Sequence, residues 1–165
     1  MTQIVLVLDN LRSASNVGSI LRTCDAVGVD RVVACGITPY PRAKRDSRDP
    51  VVINRNTREI AKTALGAEQT IAVEYFADSA QALERLRREG RTIIALEQSE
   101  SAHNLFDFRP SSPLALIVGN EVSGVDAKLL TGSDAILELP QRGAKESLNV
   151  AVATGIALYQ LLMGN

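Results

Sequence analysis

Short, almost unbroken apolar runs recur along this chain, each followed by a segment of helical period, and that alternation leaves few folds open. The runs cover residues 4–8, 31–35, 70–73, 92–96, 114–118 and 135–139. They do not alternate apolar with polar, so both faces of each strand are expected to be covered. Helical spacing occupies residues 17–27, 58–65, 79–89, 125–130 and 148–162. Such an order predicts an α/β fold, a parallel sheet with helices on both faces. Ligands in these folds bind outside the carboxyl ends of the strands, so polar residues that follow a strand are the first place to look for chemistry.

The length of 165 residues suits a single domain over 1–165, and a hydrophobic share of 45% is enough for a core without staples. Cys24 and Cys35 lie within apolar stretches and match no ligand or redox spacing. They read as buried small hydrophobes in a reducing compartment, and no metal site is expected. No run reaches a membrane-spanning length and the first strand is too short for a signal peptide core, so a soluble cytoplasmic protein is expected. The net charge of −1 excludes a polycation that grips nucleic acid indiscriminately. Charge is nonetheless uneven. Residues 37–57 read as one long irregular loop, and long loops are often functional. Between Arg42 and Glu59 stand Arg42, Lys44, Arg45, Arg48, Arg55 and Arg58 against Asp46, Asp49 and Glu59. A phosphate backbone could use that surplus; a mixed solvated loop has the same composition.

Three polar constellations follow strands. After the first, Asn16 is a candidate N-cap, Gly18 and Arg22 share a helix face, and the glycine leaves room into which the guanidinium can lean. A surface pair of Arg22 with Asp25 is the plainer alternative. After residues 114–118 come Gly119, Asn120, Glu121 and Gly124, suited to close backbone approach and a tight turn. After Leu139 and Pro140, Ser147 is the expected cap of the last helix, preceding Leu148 and Asn149. That helix is apolar nearly all round, which calls for cover on more than one side and suggests a second subunit.

Taken in order, Asn16-x-Gly18-x-x-x-Arg22, then Gly119-Asn120-Glu121-x-x-Gly124, then Leu139-Pro140 with Ser147-Leu148-Asn149, the three resemble the signature of the SpoU/TrmH family, the RNA ribose 2′-O-methyltransferases of the SPOUT superfamily. The resemblance runs over essentially the whole chain, and the accessory RNA-binding domain that many relatives carry is not expected in it. It implies a parallel sheet whose C-terminal part is threaded into a deep trefoil knot, and a homodimer. It also implies transfer of a methyl group from S-adenosylmethionine to a ribose 2′-hydroxyl of tRNA or rRNA. The donor is expected among the loops after Leu96, Val118 and Leu139, held by Leu96, Glu97, Gly119, Asn120, Leu139, Ser147, Leu148 and Asn149. The expected catalytic group is Arg22 with Asn16, Glu121, Ser147 and Asn149, where Arg22 stabilises the developing alkoxide and Glu121 orients Arg22 or relays the proton. RNA contacts are expected from Arg12, Arg22, Arg42, Lys44, Arg45 and Arg48, and a partner protein is one expected route to RNA selection. The resemblance leaves room for a fold-sharing RNA binder without catalysis and for a base-directed methyltransferase. A flavodoxin-like small-molecule binder fits less well, because residues 10–15 carry Arg12 and lack the Ser/Thr-rich phosphate loop.

Overall fold

The computed structural model describes residues 3–110 and 113–164. Among the described residues seven strands form one sheet, β1 (Ile4–Asp9), β2 (Arg31–Cys35), β3 (Val73–Phe76), β4 (Thr92–Leu96), β5 (His103–Asn104), β6 (Leu114–Val118) and β7 (Ala135–Glu138). Their spatial order is β3-β2-β1-β6-β4-β7-β5, and every pairing is parallel. All residues of β1 and β6 are buried, as continuous apolar strands in a two-sided sheet require. Helices α1 (Ala14–Val27), α2 (Pro50–Ala64), the short α3 (Ala67–Thr70) and α6 (Val150–Met163) cover one face. Helices α4 (Ser79–Arg88) and α5 (Ala127–Thr131) cover the other. Among the described residues no helix is long and apolar enough to cross a membrane.

From β1 the chain runs outward to β2 and β3, whereas β6 is flanked on its far side by β4 and β7. The order therefore reverses between β1 and β6, and a crevice opens at their carboxyl ends. Asn10 leaves β1 with a positive φ of 54°, a conformation asparagine tolerates. Its backbone carbonyl accepts from Asn120 Nδ2 at 2.7 Å and its Oδ1 accepts from Ile37 N–H at 3.2 Å. One residue thus ties the exits of β1, β2 and β6 together.

Several elements differ from the sequence expectation. Helix α2 begins at Pro50, capped by Asp49, so the irregular stretch ends at residue 49 rather than 57. Residues 67–70 are a helical turn, and the strand expected at 70–73 lies at Val73–Phe76. Ser13 caps α1, accepting from Asn16 N–H, so Asn16 sits inside the first turn with its side chain released for other work. Likewise Asn149 caps α6, not Ser147, by accepting from Ala151 N–H at 2.8 Å. Gly18 opens no space for Arg22. A Cβ there would overlap Thr63 Oγ1 and the Ile60 carbonyl, because Gly18 is where α1 and α2 cross at close range.

Candidate active site

The loops leaving β6, β4 and β7 and the start of α6 enclose a cavity of about 540 Å³. Its wall contains all of Leu96, Glu97, Gly119, Asn120, Leu139, Ser147, Leu148 and Asn149, the residues expected to hold a donor. Asn16 and Glu121 line it too, and Arg22 does not. The wall carries four carboxylates, Glu97, Glu121, Glu138 and Glu146, and no lysine, arginine or histidine among the described residues.

The loop after β6 is wound tightly to make this wall. Asn120 N–H donates to the Gly124 carbonyl and Gly124 N–H to the Asn120 carbonyl, at 3.0 and 2.9 Å. Asn120 Oδ1 accepts from Val122 and Ser123 N–H. The asparagine side chain therefore builds the turn, and its Nδ2 is engaged by Asn10. Gly119 must be glycine, since a Cβ would overlap the backbone of Gly124 and Val125. Glu97 braces the same turn from β4, its Oε2 accepting from Val125 N–H at 2.9 Å.

The three sequence motifs meet in one hydrogen-bonded line across the mouth of the cavity. Asn16 Nδ2 donates to Glu121 Oε1 at 3.1 Å, and Asn149 Nδ2 donates to Asn16 Oδ1 at 3.2 Å. Glu121 also accepts from Arg12 N–H at 2.9 Å and Ser13 N–H at 3.0 Å. Partial burial works to raise the Glu121 carboxyl, but the N–H donors around it prevail and hold it below the ordinary glutamate value. A carboxylate so held is a poor proton acceptor. Its expected contact with Arg22 is absent: Glu121 fastens the loop before α1, and Arg22 is exposed on α1 with no hydrogen bond or ion pair among the described residues. Asp25 is not its partner either, accepting instead from the Thr70 hydroxyl at 2.7 Å.

The expected RNA-contact residues divide in two. Lys44 and Arg45 are exposed without partners among the described residues; Arg12 is exposed and Arg42 donates to Asn54 Oδ1. Arg48 is folded inward. It pairs with Asp46, donates to the carbonyls of Tyr40 and Pro41, and lies 3.4 Å from the centre of the Tyr40 ring. With its donors so engaged it acts as the internal brace of residues 36–49, not as a surface cation. The stacked Tyr40 and Tyr75 rings, 4.5 Å between centres, escaped the sequence reading because they lie 35 positions apart. His103 is exposed on β5, away from the cavity wall.

Comparison with known proteins places this geometry. The SpoU rRNA Methylase family profile matches residues 3–159. A 23S rRNA (guanosine-2'-O-)-methyltransferase of Pseudomonas putida is 31% identical over 157 residues, 95% of this chain and 57% of that protein. A tRNA (guanosine(18)-2'-O)-methyltransferase of Aquifex aeolicus is 30% identical over 157 residues, 95% of this chain and 67% of that one. The chain thus spans little more than half the length of the first of these relatives. Among solved structures, an AdoMet-bound rRNA methyltransferase from Sinorhizobium meliloti superposes with a TM-score of 0.79 at 26% identity, over 96% of this chain and 55% of that one. With the family profile matched over residues 3–159, nearly the whole chain, the chain belongs to the SpoU rRNA methylase family.

Proposed function

We propose that the protein transfers a methyl group from S-adenosylmethionine to a ribose 2′-hydroxyl of RNA, with tRNA and rRNA as the substrate classes. The observation that carries this reading is the cavity beside the Glu121–Asn16–Asn149 line, which joins a donor-sized pocket to the helix that bears Arg22. A volume of about 540 Å³ falls within the range of small-molecule pockets. Walls with four carboxylates and no cation suit a positively charged sulfonium and ammonium.

When bound, S-adenosylmethionine supplies an electrophilic methyl group. Leu96, Leu139 and Leu148 offer apolar wall, and the backbone after β4, β6 and β7 offers polar groups. Ser147 and the Asn149 amide stand at the same rim. Asn16 and Asn149 hold the α1 and α6 starts in fixed relation, which favours alignment of acceptor and donor. Arg22 is permanently protonated, so it acts on the acceptor by stabilising charge on the developing alkoxide and the neighbouring phosphate, not as a base, and the hydroxyl proton passes to solvent water. Arg12, Arg42, Lys44 and Arg45 supply phosphate contacts, and RNA selection rests on residues 36–49, the dimer surface or a further protein.

The unit of function is a homodimer in a cytoplasmic setting. Support comes from α6, whose Val152, Ile156, Tyr159 and Met163 form one stripe at i, i+4, i+7 and i+11 and are each exposed. The deep trefoil knot is part of the same proposal, supported by the loop after β6 and residues 139–149 lining one cavity.

Incubation of the purified chain with isotopically labelled S-adenosylmethionine and unfractionated cellular RNA, followed by digestion to nucleosides, tests the assignment. Label in a 2′-O-methylnucleoside is expected. Label in a base places the chain among base-directed enzymes, and donor binding without transfer makes it an RNA binder that keeps only the fold.

A further inference from the structure

A second cavity, about 670 Å³, lies at the other end of the crevice edge, between residues 36–49, α2 and the edge strand β3. Its most distinctive wall is aromatic. Tyr40 covers one face of Tyr75 at 4.5 Å, with 20° between the rings, and the Arg48 guanidinium lies 3.4 Å from the Tyr40 centre. Asp46 locks Arg48 in place through paired contacts, and Tyr75 is pinned by its hydroxyl, which donates to the Gly36 carbonyl at 3.0 Å. The stack is therefore preorganised from Arg48 through Tyr40 to Tyr75. Even so, Tyr75 remains 42% exposed. Tyr40 occupies one face of the Tyr75 ring, so a base would stack on the other.

Around this platform stand groups with nothing to bind within the chain. Arg45 is exposed and unpaired, and the Asn56 amide, half-buried on α2, makes no hydrogen bond among the described residues. A flat aromatic face, a free guanidinium and a free amide match one ligand chemistry, an unstacked nucleobase with its phosphate. The same loop reaches the active-site crevice through Ile37 N–H on Asn10, whose carbonyl holds Asn120. Three to five strand spacings separate β3 from β6, β4 and β7, about 14–24 Å at about 4.8 Å per strand, so one RNA strand can serve both.

We propose that Tyr75 and Tyr40, with Arg45 and Asn56, form a stacking subsite for a base of the substrate RNA lying a few nucleotides from the methylated ribose. The proposal rests on the RNA reading given above. The subsite reads the presence of a base plane, with the Asn56 amide free to pair with its edge.

The test uses the full chain and unfractionated cellular RNA. Zero-length ultraviolet crosslinking, with adducts mapped by mass spectrometry, should place a nucleotide on the peptide carrying Tyr75 or Tyr40. Tyr75→Ala should weaken RNA retention in a filter assay by roughly 5- to 100-fold. It should leave S-adenosylmethionine binding by calorimetry unchanged, which also certifies the fold. Tyr75→Phe keeps the ring and should retain RNA nearly as well as wild type. Wild-type RNA affinity in Tyr75→Ala, or an equal loss in Tyr75→Phe, overturns the stacking subsite while the RNA reading stands. Failure of the wild-type chain to retain any RNA removes the RNA reading and the subsite together.

Discussion

Arg22 extends from α1 with no partner in the described chain, whereas Glu121 accepts hydrogen bonds from Arg12, Ser13 and Asn16 and helps build the crevice. Substitution at Arg22 should therefore remove chemistry without disturbing architecture. Arg22→Ala is expected to abolish methyl transfer while calorimetric donor affinity and Tm stay at wild-type values; a variant that still turns over would remove Arg22 from the mechanism. The residues of this site were legible because each motif places polar side chains after a strand, beside a glycine in the first two. Their couplings were not. Asn16 and Asn149 are 133 positions apart, and nothing in the local pattern says that their amides meet. Capping was misassigned for a related reason. Ser13 and Asn16 are both good cap residues, and so are Ser147 and Asn149. Tertiary bonds decide between them, with Asn16 drawn to Glu121 and Asn149 able to cap α6 and reach Asn16 at once.

At the scale of elements, the strands with unbroken apolar runs were readable almost to the residue, because burial on both faces leaves no ambiguity of period. Helix α2 was half hidden. Only Ile53, Ile60 and Ala64 of its face are buried, and the polar run Asn54-Arg55-Asn56-Thr57 between them masks the stripe. Strand β5 has two polar residues and exists by pairing with β7, so it carries no signal of its own. The crossing of α1 and α2 supplies a sharp test. Gly18→Ala pushes a methyl into Thr63 and the Ile60 carbonyl, an overpacking that costs about 1–3 kcal/mol. Thermal melting should register a fall of several degrees; an unchanged Tm would mean that the two helices separate freely. Helix α6 presents the opposite situation. Its Thr154, Ala157, Leu158 and Leu161 are buried against the sheet, while the Val152–Ile156–Tyr159–Met163 stripe faces outward. A carboxylate on the stripe touches nothing in the isolated chain, so Tyr159→Asp should convert the proposed dimer into a folded monomer in sedimentation. Sedimentation identical to wild type would place the interface elsewhere.

For the whole molecule, the titratable groups set a window of pH in which the fold is most stable. On the acid side, the Arg48 hydrogen bond holds the Asp46 carboxyl well below the usual carboxylate range, and Glu121 is also lowered, its N–H donors prevailing over burial. A carboxyl with a lowered folded pKa contributes stability that is fully present above its unfolded value, about 4, and is lost as pH falls through the folded one. On the alkaline side the sign reverses. Burial pushes Cys24 and Cys35 from 9.0 up to about 12, so the native chain holds both thiol protons more tightly than the unfolded chain does. Their contribution is complete below 9.0 and drains away as pH climbs toward about 12. The unfolding free energy from urea titrations should thus be flat between about pH 5 and 8 and fall on either side. Asp46→Asn should make the acid limb shallower, with Glu121 still contributing, at the cost of a looser Arg48 and Tyr40 stack. Cys24→Ala removes one titrating thiol and leaves a small void, so it should lower stability by a constant amount while making the alkaline limb shallower. An alkaline limb of wild-type steepness in Cys24→Ala would show that the buried thiol does not govern it.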